Sequence, residues 1–109
     1  MHARMSRFAG LPPERIDSTL HQFRDEELPA LEQQPGFEGI VVLVDQKGGK
    51  AAAISFWDTE HHLRDSERAA ERARERAVES AGPTREPVVD RYEVLFTKWE
   101  TEKPEPVGG

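Results

Sequence analysis

The sequence predicts an α+β domain of the ferredoxin-like type, in which a four-stranded antiparallel sheet carries two helices on one face. Three observations predict this fold. Short runs rich in Val, Ile, Phe and Tyr are typical of strands. Two longer segments place apolar residues three and four positions apart, as helices do. The order of these segments along the chain is strand, helix, strand, strand, helix, strand.

Four segments are predicted to be strands. Residues 37–45 and 51–57 form the central pair, and the Gly-Gly pair between them is typical of a hairpin turn. Residues 88–96 form the last strand, and the more polar residues 2–8 form the first. These four strands make up the predicted sheet.

The first helix is predicted over residues 13–34. It begins with a Pro pair, which suits a first helical turn, and it ends before a Pro-Gly pair that cannot continue a helix. Pro29 lies inside this segment and is expected to kink or split the helix near Glu26.

The second helix is predicted over residues 60–81, with Asp58 or Thr59 as its cap and Gly82 after its last turn. Its small residues at helical spacing predict a face that packs close to the sheet. They are Leu63, Ser66, Ala70, Ala73 and Ala77. Two adjacent rows, one of arginines and one of glutamates, form the outer face, which we interpret as solvated. They consist of Arg64, Arg68, Arg72, Arg76, Glu67, Glu71, Glu75 and Glu79.

The sheet is predicted to need cover on both of its faces. Segments 40–44 and 94–96 are apolar at both strand parities, whereas both helices lie on one face. We therefore expect a homodimer that buries the sheet face away from the helices, most simply with twofold symmetry.

Composition narrows the classes of function. The chain has 109 residues, 15 basic and 21 acidic side chains, a net charge of −6 and no cysteine. An acidic chain is not expected to bind nucleic acid, and the absence of cysteine excludes thiol catalysis and disulfides. No apolar run is long enough for a membrane span, and no secretory signal is evident, so a cytoplasmic protein is expected. Residues 1–100 are predicted to form one domain and residues 101–109 a flexible tail.

Four segments together resemble a known family. They read ARMSRF, LPALEQQPGFEGIVVLVDQKGGKA, ISFWDTEHHLRDSERAAERAR and VVDRYEVLF, and the patterns PALxxxPGFxG and SxWxxxxxLRxSE are the most specific. The chain resembles the antibiotic biosynthesis monooxygenase-like domains of the dimeric α+β barrel superfamily over residues 2–97. It is most similar to their small, uncharacterised bacterial members.

The resemblance implies a pocket between the sheet and the helices of each subunit. Some family oxygenases use neither metal nor flavin and hold an electron-rich aromatic substrate that itself reacts with dioxygen. Haem-degrading relatives use a third-strand Trp, a first-strand Asn and a second-helix His as iron ligand. Trp57 matches the Trp, but Glu67 stands at the place of the His and Ser6 near that of the Asn. We therefore expect no haem degradation, no metal and no cofactor.

Three residues are candidates for catalysis. Trp57 ends a strand beside a helix cap, where it can stack on a planar ligand or fill the core. His62 lies on the sheet side of the second helix and can act as a base, although His61 and His62 also suit a polar helix start. Tyr92 can donate a hydrogen bond within a pocket.

Candidate ligand-binding residues lie on predicted strands. Strand arginines can bind an anionic or phenolic substrate, and they can equally pair with the plentiful carboxylates. Ser55 has the same strand parity as Trp57 and is expected on the same sheet face. The predicted set is Arg4, Ser6, Ser55, Trp57 and Arg91.

The sequence leaves two functions open. The first is a cofactor-independent monooxygenase, or a related enzyme, acting on an aromatic or planar small molecule. The alternative is a non-catalytic dimeric domain that binds a small ligand or serves as an accessory.

Overall fold

The computed structural model describes residues 1–82 and 84–100, so the predicted tail of residues 101–109 lies outside the described residues. Four strands form one antiparallel sheet in the order β2-β3-β1-β4. Their bounds are β1 His2–Phe8, β2 Phe37–Asp45, β3 Lys50–Trp57 and β4 Val88–Glu93. The helices pack on one face of this sheet, which confirms the predicted fold class.

The hairpin between β2 and β3 turns where the Gly pair predicts it. Gly49 has a φ of 64°, a left-handed conformation that side chains disfavour, and its amide donates to the Gln46 carbonyl. The Gly48 amide donates to Asp45 Oδ1 at 2.9 Å. These contacts fix the register in which Val42 faces Ala53 and Ile40 faces Ser55.

The first helical segment is divided, as Pro29 predicts. It consists of α1 (Pro13–Gln22), a π-helical turn (Phe23–Glu27) and α2 (Leu28–Glu32). The Leu28 amide bonds back to the Phe23 carbonyl, five residues earlier. Since Pro29 has no amide hydrogen and its ring crowds the carbonyl four residues before it, the turn widens there.

The second helical segment is interrupted at Ser66, which separates α3 (Glu60–Asp65) from α4 (Glu67–Ala81). The Ser66 hydroxyl donates to the Leu63 carbonyl at 2.7 Å, in the manner of a serine that competes with the backbone. Thr59 caps α3 by accepting from the His62 amide. Gly82 ends α4 with a φ of 85°.

Strand β4 ends earlier than the sequence predicts, at Glu93 instead of Phe96. Its only neighbour in the described sheet is β1, in which His2 pairs with Glu93. The Val94 amide still donates to the Met1 carbonyl, but further residues have no strand beside them in the described sheet. Leu95 and Phe96 are consequently 87% and 79% exposed.

The core between the sheet and the helices has two buried clusters. One joins Leu11, Ile16 and Ala81 near the ends of α1 and α4. The other joins Leu31, Ala70 and Ala73, where α2 crosses α4. Among the described residues, no helix is both long and apolar enough to cross a bilayer.

Candidate ligand-binding site

A cavity of about 80 Å³ lies between the helix-facing side of the sheet and the helices. Most of its wall is apolar. The apolar lining is Phe8, Leu11, Ile16, Leu20, Phe23, Leu31, Ile40, Val42, Ala51, Ala52, Ala53, Ala70, Ala73, Ala77 and Ala81. Val42 is 40% exposed, so the cavity approaches the surface at the β2 edge of the sheet.

Alanines give the cavity the form of a slot. Ala53 is in the centre of its sheet-side wall, and Ala70, Ala73 and Ala77 line the opposite wall on α4. Because an alanine fills little space beyond its backbone, two such walls leave a flat gap between sheet and helix. Native interiors are otherwise close-packed, so an unfilled gap of this kind is a candidate ligand site.

The polar part of the wall lies mainly on β1, β3 and α4. Arg4 and Ser6 come from β1, Ser55 from β3 and Arg74 from α4. The Arg74 guanidinium is half-buried and Nη1 lies 3.5 Å from Ser6 Oγ, a long hydrogen bond. Thr19 on α1 adds a further hydroxyl. The slot therefore has an apolar body with a cationic end.

Arg4 is only 2% exposed, which is rare for a guanidinium. Its Nη2 donates to the Leu63 carbonyl and to Ser66 Oγ, each at 2.8 Å, and it lies 3.3 Å from Glu67 Oε1. Its Nε is buried without a hydrogen-bond partner among the described residues. Burial lowers the pKa of Arg4, although the carboxylate of Glu67 opposes this effect.

Glu67 holds the ionic network together. Its carboxylate accepts two hydrogen bonds from Arg91, from Nε at 2.6 Å and from Nη2 at 2.8 Å, in addition to the contact with Arg4. Burial opposes the ionisation of Glu67, but the two guanidinium groups outweigh it and the pKa is lowered. The hydrogen bonds to Glu67 raise the pKa of Arg91. Glu67 thus faces inward, not into the solvated outer row that the sequence predicts.

Trp57 is fully buried and is not part of the cavity lining. Its Nε1 donates to Ser55 Oγ at 2.9 Å, and Phe37 meets its ring edge-on with centroids 5.4 Å apart. The Arg4 guanidinium lies 5.6 Å from its centroid. Trp57 is therefore not placed to stack on a ligand in this cavity, and its role in ligand binding stays a prediction. Trp57 instead supports Ser55 and Arg4 from behind.

His62 also lies away from the cavity. It is one-third exposed, and its Nδ1 is 2.7 Å from Asp58 Oδ1. This hydrogen bond lowers the pKa of Asp58. Gly36 fits against this pair because a Cβ there would lie 2.3 Å from Asp58 Oδ1. His62 thus joins the start of β2 to the start of α3, and it touches no group of the slot.

Tyr92 does not line the cavity, in contrast to the predicted hydrogen bond within a pocket. It is 52% exposed and pairs with Ala3, whereas the cavity residues of β1 are the alternate ones, Arg4 and Ser6. Its side chain accordingly lies on the other side of the sheet from the slot. Arg91 reaches toward the helices but ends on Glu67 outside the cavity. Of the predicted ligand-binding residues, the structure brings Arg4, Ser6 and Ser55 together at the slot.

Two charged residues of this region were missed by the sequence analysis as site residues, Arg74 and Glu67. The available signal is their helical position. Arg74 lies four residues after Ala70 and three before Ala77, and Glu67 lies four after Leu63. Both therefore fall on the edge of the buried stripe and not opposite it. The regular alternation of charge along the helix conceals this position.

Solved structures with this fold include enzymes. The monooxygenase from the gene ActVA-Orf6 of Streptomyces coelicolor, in complex with nanaomycin D, is 15% identical with a TM-score of 0.73 and 92% of each chain covered. SnoaB, a cofactor-independent oxygenase from Streptomyces nogalater, is 17% identical with a TM-score of 0.62, over 91% of this chain and 97% of that one.

The heme-degrader MhuD from Mycobacterium tuberculosis, with two hemes bound in its active site, is 16% identical. Its TM-score is 0.67, over 91% of this chain and 100% of that one. The chain therefore has the fold of the antibiotic biosynthesis monooxygenase-like proteins, as the resemblance of its sequence implies.

In sequence, the chain is similar to uncharacterised mycobacterial proteins. It is 34% identical over 74 residues to the uncharacterized protein Rv2558 of Mycobacterium tuberculosis, which is 67% of this chain and 31% of that protein. For the uncharacterized protein Rv2557 the identity is 33% over 81 residues, 74% and 35% of the two chains. The chain spans about a third of the length of these relatives. No family model matches it.

Proposed function

We propose that this domain binds a small, planar and mostly apolar molecule in the slot between the sheet and α4. The observation that carries the proposal is the slot itself, a mostly apolar cavity whose wall includes Arg4 and Arg74 and the exposed Val42. Ligand sites are concave and largely apolar, with a few polar groups that fix orientation. The slot has this composition.

Binding takes precedence over acid–base catalysis because of the residues in the wall. Among the described residues that line the cavity, none is a His, Asp, Glu or Tyr. Arginine keeps its proton at all ordinary pH values, so Arg4 and Arg74 can stabilise an anion but cannot act as a general base. The slot is therefore built to hold and orient a molecule.

Cofactor-independent monooxygenation of the bound molecule is the second candidate. Its support is the common fold with the ActVA-Orf6 monooxygenase and with SnoaB, whose chemistry is cofactor-independent. A substrate that itself reacts with dioxygen needs a dry, oriented site more than an acid–base residue. Haem degradation finds less support, because Arg4 and Arg91 hold Glu67 at the position that corresponds to the iron-binding His of haem-degrading relatives.

We further propose that the domain forms a homodimer through the sheet face opposite the helices. Large apolar side chains stand exposed on that face, with Leu43 and Tyr92 each at 52% and Val88 at 50%. An apolar patch of this kind on a small protein is typical of an interaction surface. A second copy would also cover the apolar segment after β4, which carries Leu95 and Phe96.

The binding proposal is tested by an NMR titration with benzamide, a neutral planar probe. We expect the methyl resonances of Ala53 and Ala77 to shift on binding. Ala77→Leu fills the slot and should weaken binding by at least about tenfold, because overpacking removes the space for the ring. Arg72→Leu is the matched control, since it adds the same side chain to the exposed side of α4. If benzamide shifts no slot methyl, or if both variants bind it equally, the proposal is wrong.

The oxygenase candidate has its own measurement. Dioxygen consumption with 1,4-dihydroxynaphthalene should exceed the spontaneous rate in the presence of the wild-type domain and return to it with Ala77→Leu. Equal rates for the two proteins would contradict catalysis in the slot and leave the binding function intact.

A further inference from the structure

One cation in the wall of the slot, that of Arg74, interacts with the carboxylates of Glu67, Glu71 and Glu75 only at long range. Arg74 is half-buried and contacts Ser6, but among residues 1–82 and 84–100 no carboxylate forms an ion pair with it. The nearby carboxylate of Glu67 is already shared between Arg4 and Arg91. Because charge is costly to bury without a partner, this part of the wall attracts one negative charge.

A second donor in the same wall also has no acceptor. Arg4 is only 2% exposed, and its Nε has no hydrogen-bond partner in the described part of the chain. Nearly all buried polar groups in native structures have a partner, so an exception calls for one. Arg4 and Arg74 both line the slot, and Arg74 contacts Ser6, which lies two residues after Arg4 on β1. The Nε–H of Arg4 and the guanidinium of Arg74 are thus two hydrogen-bond donors in the wall that can bind oxygen atoms of a ligand.

The sheet register gives the slot a direction. Ser6 on β1 pairs with Ala53 on β3, and Ala53 pairs with Val42 on β2. These three residues form one row across the sheet, from the arginine end to the exposed edge. Two strand spacings separate the backbones of Ser6 and Val42 by about 10 Å, which is comparable to the length of one aromatic ring with a polar substituent.

We propose that the ligand of this slot is an aromatic monocarboxylate, whose carboxylate binds Arg74 and Arg4 Nε while its ring lies over Ala53 and points to Val42. This inference rests on the proposed binding function and adds the charge and the orientation of the ligand. A carboxylate provides two oxygens for two donors, and guanidinium groups match that geometry. A single negative charge is specified because only one guanidinium in the described wall forms no ion pair with a carboxylate.

The apolar surroundings strengthen this recognition. Beyond the polar groups at the arginine end, most of the cavity wall consists of alanine methyl groups and aliphatic or aromatic side chains, which lower the local dielectric. An ionic interaction is worth more in such a place than at the surface. The same walls select a flat, apolar body, so an aliphatic polyanion or a phosphate ester fits this site less well.

The test compares benzoate with benzamide, which have nearly the same shape and differ in charge. We expect the wild-type protein to bind benzoate about tenfold or more tightly than benzamide, as a charge-assisted hydrogen bond allows. Arg74→Gln should abolish that preference, which is read as the ratio of the benzoate and benzamide affinities of the variant. Arg74→Lys should retain part of it. Arg76→Gln, on the exposed side of the same helix, is the matched control and should retain all of it.

A second measurement needs no variant. In the wild-type protein, the Nε–H resonances of Arg4 and Arg74 should shift with benzoate and stay in place with benzamide. If the two probes bind with equal affinity, or if the benzoate preference survives in Arg74→Gln, the carboxylate inference is wrong while the binding function stands. If neither probe binds in the slot, the inference and the proposed function both fail.

Discussion

The carboxylate of Glu67 stabilises the buried positive charge of Arg4. Arg4 is nearly inaccessible, and its charge is balanced by the Glu67 carboxylate and by acceptors at Leu63 and Ser66. Glu67 also fixes Arg91 through two hydrogen bonds, so one side chain of α4 ties together β1 and β4. Breaking a buried ion pair on one side is costly, because the other charge remains in the interior.

We therefore expect Glu67→Gln to destabilise the domain by about 1–3 kcal/mol, below the roughly 3–5 kcal/mol typical of fully buried pairs, because Glu67 is partly exposed. Urea unfolding at neutral pH measures this change. Glu71→Gln, on the exposed side of α4, is the control and should stay within about 0.5 kcal/mol of the wild-type protein. Equal stabilities for the two variants would contradict the role of Glu67.

The same pair of proteins gives a pH dependence of known sign. The pKa of Glu67 is lowered in the folded state from its ordinary value of 4.5. Ionised Glu67 therefore contributes its full stabilisation above 4.5, and this contribution is lost as the pH falls through the folded-state pKa. The gap in unfolding free energy between wild type and Glu67→Gln should be constant above that pH and narrow below it. A gap that widens in acid would have the wrong sign.

At the residue scale, three different arguments led to the residues that line the slot. Ser55 was predicted from its strand parity with Trp57, Arg4 as a strand arginine and Ser6 from its place near that of the family's Asn, and the structure brings the three together. Trp57 shares that face, but packing against Phe37 buries it at the end of the strand, beyond the slot. The opposite parity of Tyr92 was visible in the sequence, whereas the tertiary partners of Glu67 were not.

The π-helical turn places Phe23 in the wall of the slot. Phe23 and Leu31 are eight residues apart, and eight residues of regular α-helix overshoot two full turns by about 80°. The wider turn at Phe23–Glu27 absorbs this excess, so both side chains pack on the cluster that includes Ala70 and Ala73. The turn has no fully buried residue, whereas α4 buries Ala70, Ala73 and Ala81.

We expect Phe23–Leu28 to open more readily than α4. Its amides should exchange with solvent faster than those of Glu67–Ala81, because local opening is easiest where few apolar contacts are lost. Hydrogen exchange followed by mass spectrometry or NMR measures this difference, and benzoate should reduce it by packing beneath Phe23. Equal protection of the amides of the two segments from hydrogen exchange would contradict this expectation.

Element bounds followed from the sequence wherever a local cause existed. The Gly pair set the hairpin and Gly82 ended α4, and β1 and β2 have the predicted limits. Two limits depended on tertiary structure and were not predictable locally. Strand β4 stops at Glu93 because β1 begins at His2, and the break at Ser66 follows from its hydrogen bonds to Leu63 and Arg4.

At the scale of the whole molecule, one subunit leaves half of its sheet uncovered. The helix side holds the buried clusters and the slot, while the other side presents Leu43, Val88 and Tyr92 at about half exposure. Met5, Val41, Ile54 and Phe56 lie among them and are only half-buried. Exposed apolar area of this extent favours association, and identical patches associate most simply about a twofold axis.

We expect light scattering during size-exclusion chromatography to give about twice the chain mass of 12.4 kDa at micromolar concentration. Leu43→Lys places a charge on the apolar face, at the edge strand β2, and should shift the protein to monomer, because an unpaired charge is costly to bury. Arg72→Glu, on the outer side of α4, is the control and should leave the mass unchanged. A wild-type monomer, or a Leu43→Lys dimer as stable as wild type, would show that this face is not the interface. If the monomeric variant still binds benzamide, the slot is complete within one subunit, as its lining residues indicate.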